Sequence, residues 1–415
     1  MKKPFNRWAG MFGLLAGLLL TCCESPLTST PGAVNGQAQS PIETPPFVSP
    51  LPMDSTATAN AVVHPTVMLL PSPSPVAPLP EITRIELQDG RSFGLITMAT
   101  GWDRFHPPCD FNVSPDGNWV AVDMCHSYGG NWIYVLGLPG GQDSNSVTHT
   151  RFDSRRLIFN GTTFFRGWLP DSQRILVMVS SLEIVDINTG GRHALTPRFA
   201  TTPGYVTVTD AAIAPDGETI VYTNIQGDAL YLIDVEGNDL ATVPAPIPSP
   251  GDRPENLTWS PYGKWIAYTW DQSKMFGAGP LWLASASGDD ARQVSPPGTL
   301  ETMIAWSPDA SQMAVTRFND IDNLWTDYLE PSKWASELWL TKLEDDSWNQ
   351  LTHMDGKAAW APRWTPDGLS IVFLSNLSGQ PQIWLINADG SGLQQLTFDD
   401  QMSQAVPPLS FGVLP

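Results

Sequence analysis

Histidine, cysteine and basic residues are scarce in this chain, and each shortage bears on function. Among 415 residues there are 6 His and 4 Cys, and 22 Lys and Arg stand against 42 Asp and Glu, giving a formal net charge of −20 at pH 7. Such a chain repels polyanions, so nucleic acid is not expected as a partner. The G-x-S-x-G motif of serine hydrolases is also missing, and no cofactor is expected.

What the chain has instead is a proline-centred turn that recurs six times. The clearest copy, Thr365 to Gly368 (T-P-D-G), fits a type I β-turn, because Pro occupies i+1, Asp i+2 and Gly i+3. The other copies begin at Ser114, Leu169, Ala214, Ser260 and Ser307. Successive prolines lie 55, 45, 46, 47 and 58 residues apart. A repeat of this length is expected to be one structural unit.

Each turn and its strand are followed by a second apolar run, a polar or glycine turn and a short closing strand. In the last full unit these are Ile383 to Leu385, Asp389-Gly390 and Leu393 to Thr397. Four short antiparallel strands in a period of about 45 residues are typical of a β-propeller blade, whose faces are buried only against neighbouring blades. The sequence therefore predicts an all-β propeller of four-stranded antiparallel blades.

The two ends of the repeat region complement each other. Ile85 to Gly90 and Gly94 to Thr97 read as the third and fourth strands of a blade, and Val406 to Phe411 reads as a shortened first half. Joining them closes the ring with a seventh blade and leaves no sheet edge for another chain to pair with. We therefore prefer seven blades. Six blades, with the ends laid over existing ones, are the alternative.

Residues 1–23 have the layout of an export signal. Three basic residues precede an apolar run from Trp8 to Leu20, which is short for a membrane span. The run ends at Cys22 and Cys23, which resembles a bacterial lipoprotein signal, where the cysteine at the cleavage site is lipidated. Neither cysteine follows the usual Ala, Gly or Ser. The lipidated residue is therefore Cys22 or Cys23, and a plain secretory signal is the alternative.

Residues 24–80 are predicted to be a disordered tether between this signal and the propeller domain at 81–415. The segment is rich in Pro, Ser, Thr and Ala and nearly uncharged, so it cannot bury enough apolar surface to offset the entropy lost on ordering. A spacer behind a lipid anchor lets a folded domain clear the bilayer. We therefore expect an extracytoplasmic protein, held in the bacterial cell envelope by a lipid anchor.

Two cysteines remain in the predicted domain, Cys109 and Cys125, and they flank its first hairpin. Across the turn that begins at Ser114 the two positions come close to facing each other, and an exported protein can keep a disulfide. We predict that they are bonded. A metal pair is the alternative, because His126 is adjacent.

The aspartates of the repeated turns are predicted to be structural. They occupy equivalent positions, and the side chain of a turn Asp commonly accepts hydrogen bonds from nearby backbone N–H groups. These residues are Asp116, Asp171, Asp216, Asp309 and Asp367. The tryptophans before three of the turns are predicted to pack between blades. They are Trp259, Trp306 and Trp364.

The repeated hairpin, with W-T-P-D-G at Trp364 to Gly368 as its clearest copy, resembles the TolB-like propeller family. The similarity covers about Glu81 to Phe411. It implies export and protein binding but leaves the ligand open, because propellers host many activities. The fold is also similar to that of oligogalacturonate lyases. The alternative function is therefore a metal-dependent carbohydrate-active enzyme that uses His126, His149 and His353.

Two long loops interrupt the repeat, at Asp271 to Pro280 and Asn319 to Glu337, between the second and third strands of adjacent blades. Adjacent loops that mix aromatic and acidic residues on one propeller face are suited to a partner. A loop that packs only on itself is the alternative. The predicted contact residues are Trp325, Tyr328 and Trp334. The predicted function is non-catalytic binding of a protein or cell-envelope polymer by a monomer.

Overall fold

A ring of seven antiparallel sheets forms the folded part of the chain. The computed structural model describes residues 80–98, 108–124, 132–137, 155–157, 163–179, 181–196, 207–245, 252–271, 277–319, 331–398 and 411–414. Six of the sheets have four strands and one has three, and adjacent sheets pack against each other around the ring. The prediction of an all-β propeller with seven blades is therefore confirmed.

Chain order is kept within the six four-stranded sheets, which we number as blades one to six. The chain enters through β1 (Pro80–Glu86) and β2 (Ser92–Met98). Blades one to three consist of β3 (Pro108–Val113), β4 (Trp119–Met124), β5 (Trp132–Gly137), β6 (Arg155–Leu157), β7 (Phe164–Trp168), β8 (Arg174–Met178), β9 (Leu182–Asp186), β10 (Arg192–Ala194), β11 (Val208–Ile213), β12 (Thr219–Asn224), β13 (Ala229–Asp234) and β14 (Asp239–Pro244).

Blades four to six consist of β15 (Arg253–Trp259), β16 (Trp265–Asp271), β17 (Leu281–Ser285), β18 (Ala291–Gln293), β19 (Glu301–Trp306), β20 (Gln312–Phe318), β21 (Ser336–Lys342), β22 (Trp348–Gln350), β23 (Ala359–Trp364), β24 (Ser370–Ser375), β25 (Gln382–Asn387) and β26 (Gln394–Gln395). The last strand is β27 (Gly412–Leu414), and β1, β2 and β27 form the three-stranded closing sheet. One turn of 3-10 helix spans Pro331–Lys333.

Burial within a blade depends on the distance from the ring axis. The first strands of successive blades contact one another and so line the axis. The second strand is covered on both faces by neighbouring blades, which explains why every residue of β24 is buried, including Ser370 and Ser375 at its two ends. The fourth strand lies at the rim, where β10 is exposed along its whole length.

Tryptophans that precede a turn tie one blade to the blade before it. Three indole N–H groups donate to carbonyl oxygens of the preceding first strand: Trp168 to Asn112 (2.8 Å), Trp259 to Ala212 (3.2 Å) and Trp364 to Ala305 (3.1 Å). Trp306 packs against an apolar cluster shared by blades four and five. The prediction that Trp259, Trp306 and Trp364 pack between blades is confirmed.

The turn aspartates hold their own hairpins. In all five turns Oδ1 of the Asp accepts the backbone N–H two residues further on, at 2.8–3.0 Å. The hydroxyl of Ser307 and the N–H of Ser311 hold the pKa of Asp309 below its usual value, because both bonds favour the ionised carboxylate. The structural role predicted for these aspartates is confirmed.

Strands from both ends of the chain close the ring, as predicted, but their pairing differs from the prediction. β27 pairs with β2, through Leu95 opposite Val413 and Ile96 opposite Gly412, whereas the sequence placed the C-terminal half beside Ile85 to Gly90. The assignment of Gly94 to Thr97 as a fourth, outer strand is wrong. This strand is central in the closing sheet because Leu95 and Ile96 are buried against the two neighbouring blades. Val406 to Ser410 lie outside the described residues.

Arg91 fastens the closing sheet to blade six. Its Nη1 donates to Asp367 Oδ2 at 3.2 Å and to Ser370 Oγ at 3.0 Å, and its Nη2 donates to Asn387 Oδ1 at 3.2 Å. Nε lies 2.8 Å from Asp89 Oδ2, which orients the guanidinium from its own sheet. Arg91 therefore joins the turn of the last full blade to the sheet that completes the ring.

The predicted signal and nearly all of the predicted tether, residues 1–79, lie outside the described residues, as do Cys22 and Cys23. Within the part of the chain that the structure describes, no helix is both long enough and apolar enough to cross a bilayer.

Replacing Arg91 by Ala is expected to lower the free energy of unfolding by about 1–3 kcal/mol, because Asp367 and Asn387 lose a shared, partly buried donor. Arg84→Ala is the matched control. The Arg84 side chain is 67% exposed, so its loss is expected to change stability by no more than about 0.5 kcal/mol. Urea unfolding of both variants measures the two effects, and equal values would contradict a special role for Arg91.

Candidate functional site

Every one of the six numbered blades carries an extra residue in its first strand, so that the ladder to the second strand is interrupted. The interruptions lie between Pro108 and Asp110, Phe165 and Gly167, Val208 and Asp210, Glu255 and Thr258, Thr302 and Ala305, and Trp360 and Arg363. Such β-bulges re-aim side chains and expose backbone groups. Each bulge lies four to six residues before the proline of its turn, on a strand that lines the axis, so together the six bulges form a ring around the axis.

A cavity of about 240 Å³ opens inside this ring. Its wall comes from the first strands of blades one to five: Asn112, Phe165, Arg166, Asp210, Ala211, Asn256, Leu257, Thr258, Met303 and Ile304. We call it the axial pocket. At about 30 Å³ per water molecule it has room for roughly eight waters, or for one small group of a ligand.

Arg166 and Asp210 form an ion pair across the wall of the axial pocket. Arg166 is the extra residue of its bulge, and its Nη1 lies 3.2 Å from Asp210 Oδ1. Asp210 also accepts the N–H of Ala211 through Oδ1 and the N–H of Leu257 through Oδ2, both at 2.9 Å. Since these groups belong to three successive blades, Asp210 is committed to holding the wall together.

The other donors of Arg166 are less occupied. Nη2 lies 4.0 Å from the sulfur of Met178, and Nε is buried without a hydrogen-bond partner among the described residues. The guanidinium also lies 5.3 Å from the centre of the Phe164 ring, which holds it in place. Arg166 is the only cationic side chain among the described residues that line the axial pocket.

Next to the axial pocket, two carboxylates share one arginine. Arg253 lies 2.8 Å from Glu255 Oε1 through Nε and 3.3 Å from Asp271 Oδ2 through Nη2. Burial, followed by repulsion from Asp271, raises the pKa of Glu255 from 4.5 to about 7. The desolvation of Glu255 therefore outweighs the attraction of Arg253.

The first long loop is attached to the pocket wall at its described end. Gly277 O accepts Nδ2 of Asn256 at 3.1 Å and Oγ1 of Thr269 at 2.6 Å. Gly279 pairs with Glu301 at the start of the next first strand. A side chain at Gly279 would lie 1.6 Å from the Trp270 carbonyl oxygen, so only glycine permits this close approach.

The second long loop is attached in the same way, one blade further on. The N–H of Asn319 donates to Ala335 O at 3.0 Å, and Oγ of Ser336 donates to Ala359 O, at the start of blade six, at 2.7 Å. Both loops connect a second strand to a third strand, and these connections lie on one face of a propeller. We call it the loop-bearing face; the opposite face carries the repeated turns.

Trp334, predicted as a partner contact, lies in the core instead. It is 1% exposed, and its ring lies edge-on to Phe318 and Trp360, with centroids 5.8 and 5.1 Å away. Its assignment to a binding surface is therefore wrong, because the indole closes the gap between blades five and six. Trp325 and Tyr328 lie outside the described residues, so their role as contacts stays a prediction.

The histidine site of the alternative function is only partly within the described structure. His353 is exposed, whereas His126 and His149 lie outside the described residues. Among the residues that are described, no three His, Cys, Asp or Glu side chains come together as metal ligands. Cys109 is in β3, but its side chain and all of Cys125 lie outside the described part, so the disulfide stays a prediction.

Comparisons with known proteins give structural similarity alone. No protein-family model and no curated protein matches the chain. Among solved structures, it is similar to a TolB protein of Agrobacterium tumefaciens, with 22% identity, 53% of this chain and 70% of that chain covered, and a TM-score of 0.37. It is also similar to TolB of Acinetobacter baumannii, with 14% identity, 72% of this chain and 65% of that chain covered, and a TM-score of 0.44.

An oligogalacturonate lyase of Vibrio parahaemolyticus is similar at 15% identity, with 78% of this chain and 88% of that chain covered and a TM-score of 0.48. The function of this chain must therefore be argued from its own residues.

Sequence reasoning missed the residues of the axial pocket, although one signal was present. Arg166 stands three residues before its turn, where the other five numbered blades have apolar residues: Phe111, Ala211, Leu257, Ile304 and Pro362. A charged residue at a position that is apolar in the other repeats indicates a role particular to that blade rather than to the repeated fold.

Glu255 makes stability depend on pH in a defined direction. Its pKa is about 7 in the folded protein and 4.5 in the unfolded chain, so folding favours the protonated carboxyl. This contribution to the free energy of unfolding is present below about pH 4.5 and is lost as pH rises through about 7. Glu255→Gln stays neutral throughout. Calorimetry should find its melting temperature, relative to the parent, higher near pH 8 than near pH 5; a pH-independent difference would contradict the raised pKa.

Trp334→Ala is expected to lower the free energy of unfolding by about 3–5 kcal/mol, because it leaves a large cavity between blades five and six. Phe398→Ala is the control: this ring is 77% exposed, and its loss is expected to cost less than about 0.5 kcal/mol. Chemical denaturation compares the two. A neutral Trp334→Ala variant would mean that the indole is not part of the core.

Proposed function

We propose that this chain is an exported, non-catalytic propeller that binds a protein or cell-envelope polymer through its loop-bearing face. One observation carries the proposal: both long loops are attached by hydrogen bonds to the first strands that surround the axis, through Asn256 at the first loop and Ala359 at the second. Asn256 also lines the axial pocket, so the first loop begins at the pocket wall, and we infer that a partner bound to the loops also covers the pocket.

The scaffold under this surface is rigid, which suits recognition. The pocket wall is cross-linked between blades by Asp210, and a rigid scaffold of this kind is where propellers and other folds commonly carry binding loops. The carboxylates of the turns and of Asp210 already accept backbone N–H groups, so they serve the fold rather than acid–base chemistry. Binding is the function that this arrangement supports best.

The N-terminal sequence supports a place outside the cytoplasm. An export signal over residues 1–23, followed by a Pro-, Ser-, Thr- and Ala-rich segment, suits a domain held at a distance from a membrane by a lipid on Cys22 or Cys23. The loop-bearing face would then be free to meet an envelope partner. The competing function is the metal-dependent carbohydrate-active enzyme with His126, His149 and His353.

A pull-down from envelope extracts tests the binding function. The double variant Trp325→Ala, Tyr328→Ala is expected to capture about tenfold less partner than the parent, because aromatic side chains contribute much of the binding energy of interfaces. Tyr262→Ala is the matched control: it removes an aromatic side chain that is 74% exposed on the turn face. The control should retain the partner, and the melting temperatures of both variants should equal that of the parent.

Two results would contradict the proposal. One is capture of the same partner by the parent and by the loop variant in equal amounts. The other is a stoichiometric metal in the purified chain by elemental analysis, together with polysaccharide cleavage that is lost in His353→Ala. The second result would establish the competing enzyme.

A further inference from the structure

The guanidinium of Arg166 has donor capacity that the fold does not use. An arginine has five N–H donors, and here Nη1 meets Asp210 at 3.2 Å, Nη2 meets only a thioether at 4.0 Å, and Nε has no acceptor among the described residues. A thioether is a weak acceptor. A partly buried cation with idle donors is less stable than one whose donors are filled, so an added acceptor would be bound favourably.

Asp210 cannot supply that acceptor. Its Oδ1 already accepts from Ala211 and Arg166, and its Oδ2 accepts from Leu257 in the next blade. The charge of Asp210 is thus fixed in the wall, whereas the Arg166 side chain lines the axial pocket and is 24% exposed. An acceptor for the remaining donors therefore has to come from the pocket, either as water or as a ligand that displaces the water.

The size and charge of the site limit what that ligand is. A cavity of about 240 Å³ admits a single side chain or a chain terminus. A chain with a net charge of −20 repels a polyanion, but one carboxylate in direct contact with an arginine is held by charge-assisted hydrogen bonds. The planar fork of arginine matches the two oxygens of a carboxylate.

We propose that the axial pocket binds one carboxylate of a partner protein, from an Asp or Glu side chain or from the chain terminus, on Nη1 and Nη2 of Arg166. This rests on the proposed function, since the carboxylate belongs to the protein that covers the loop-bearing face. The bulge of blade two is what points Arg166 into the pocket.

The test uses small probes and the purified chain with ¹⁵N-labelled arginine. N-acetylglycine presents a terminal carboxylate and N-acetylglutamate amide a side-chain carboxylate; N-acetylglycinamide and N-acetylglutamine amide are their neutral counterparts. A carboxylate probe should shift the Nε–H NMR signal of Arg166 in a saturable way. Its dissociation constant should be at least tenfold lower than that of its neutral counterpart. The terminal and side-chain probes distinguish the two sources.

Three variants make the assignment specific. Calorimetric titration with the same probes measures binding to the variants, because Arg166→Gln and Arg166→Lys lack the Arg166 signal. Arg166→Gln should abolish the binding, and Arg166→Lys, which keeps the charge without the fork, should weaken it at least tenfold. Arg363→Gln is the matched control, a half-buried arginine on the first strand of blade six that does not line the pocket. Equal binding of acid and amide probes, parent-like binding by Arg166→Gln, or no shift with either acid would overturn the proposal.

Partner capture separates this proposal from the proposed function. Capture that is lost in Arg166→Gln and kept in Arg363→Gln supports the carboxylate site. Capture that survives in Arg166→Gln but is lost in the Trp325, Tyr328 double variant overturns the carboxylate site and leaves the binding function standing. If the parent captures no partner, the proposed function fails, and the probe titration still decides whether Arg166 binds a carboxylate.

Discussion

No blade of this protein can bury its own faces, and the whole structure follows from that constraint. Second strands such as β12 and β24 are buried on both sides, so each four-stranded sheet is stable only between two neighbours. The last gap is filled by a sheet drawn from both ends of the chain, in which β2 pairs with β27 and Arg91 bonds to blade six. Ring closure therefore leaves no blade with an uncovered face.

The same constraint accounts for the geometry at the axis. First strands converge there, and their unpaired edges bring backbone groups of successive blades within hydrogen-bond distance. Indole N–H groups such as that of Trp259, and the carboxylate of Asp210, use those groups to join adjacent blades. The bulges interrupt the ladders of the first strands, and bulge residues of blades two, four and five line the axial pocket. The surface that we propose for binding thus lies where side chains join successive blades.

Local patterns predicted most of the fold. The turn at Thr365 to Gly368, its copies and the tryptophans before them depend on neighbouring residues and on the repeat itself, so a single sequence is enough to predict them. The pairing of the closing sheet was not predictable in this way. Which strand β27 joins depends on the burial of Leu95 and Ile96 between blades, which no local pattern contains.

The site was predicted less well, for a related reason. The sequence indicated the two loops and the face they share, since both interrupt the same connection in adjacent units. It could not distinguish an indole in a loop from an indole in the core, and Trp334 fills the space beside Trp360. Arg166 and Asp210 lie 44 residues apart in sequence and meet only because the ring brings their blades together.

Photo-crosslinking in living cells tests the central claim most directly, because the crosslink captures a partner of any identity where it binds. A photoreactive phenylalanine analogue is placed at Trp325, within the sequence of the second long loop, or at Tyr262, on the turn face. We expect one discrete crosslinked partner, a protein or an envelope polymer, from the Trp325 position and none from the Tyr262 position. The same crosslinked partner from both positions, or from Tyr262 alone, would contradict the claim that the loop-bearing face is the binding surface.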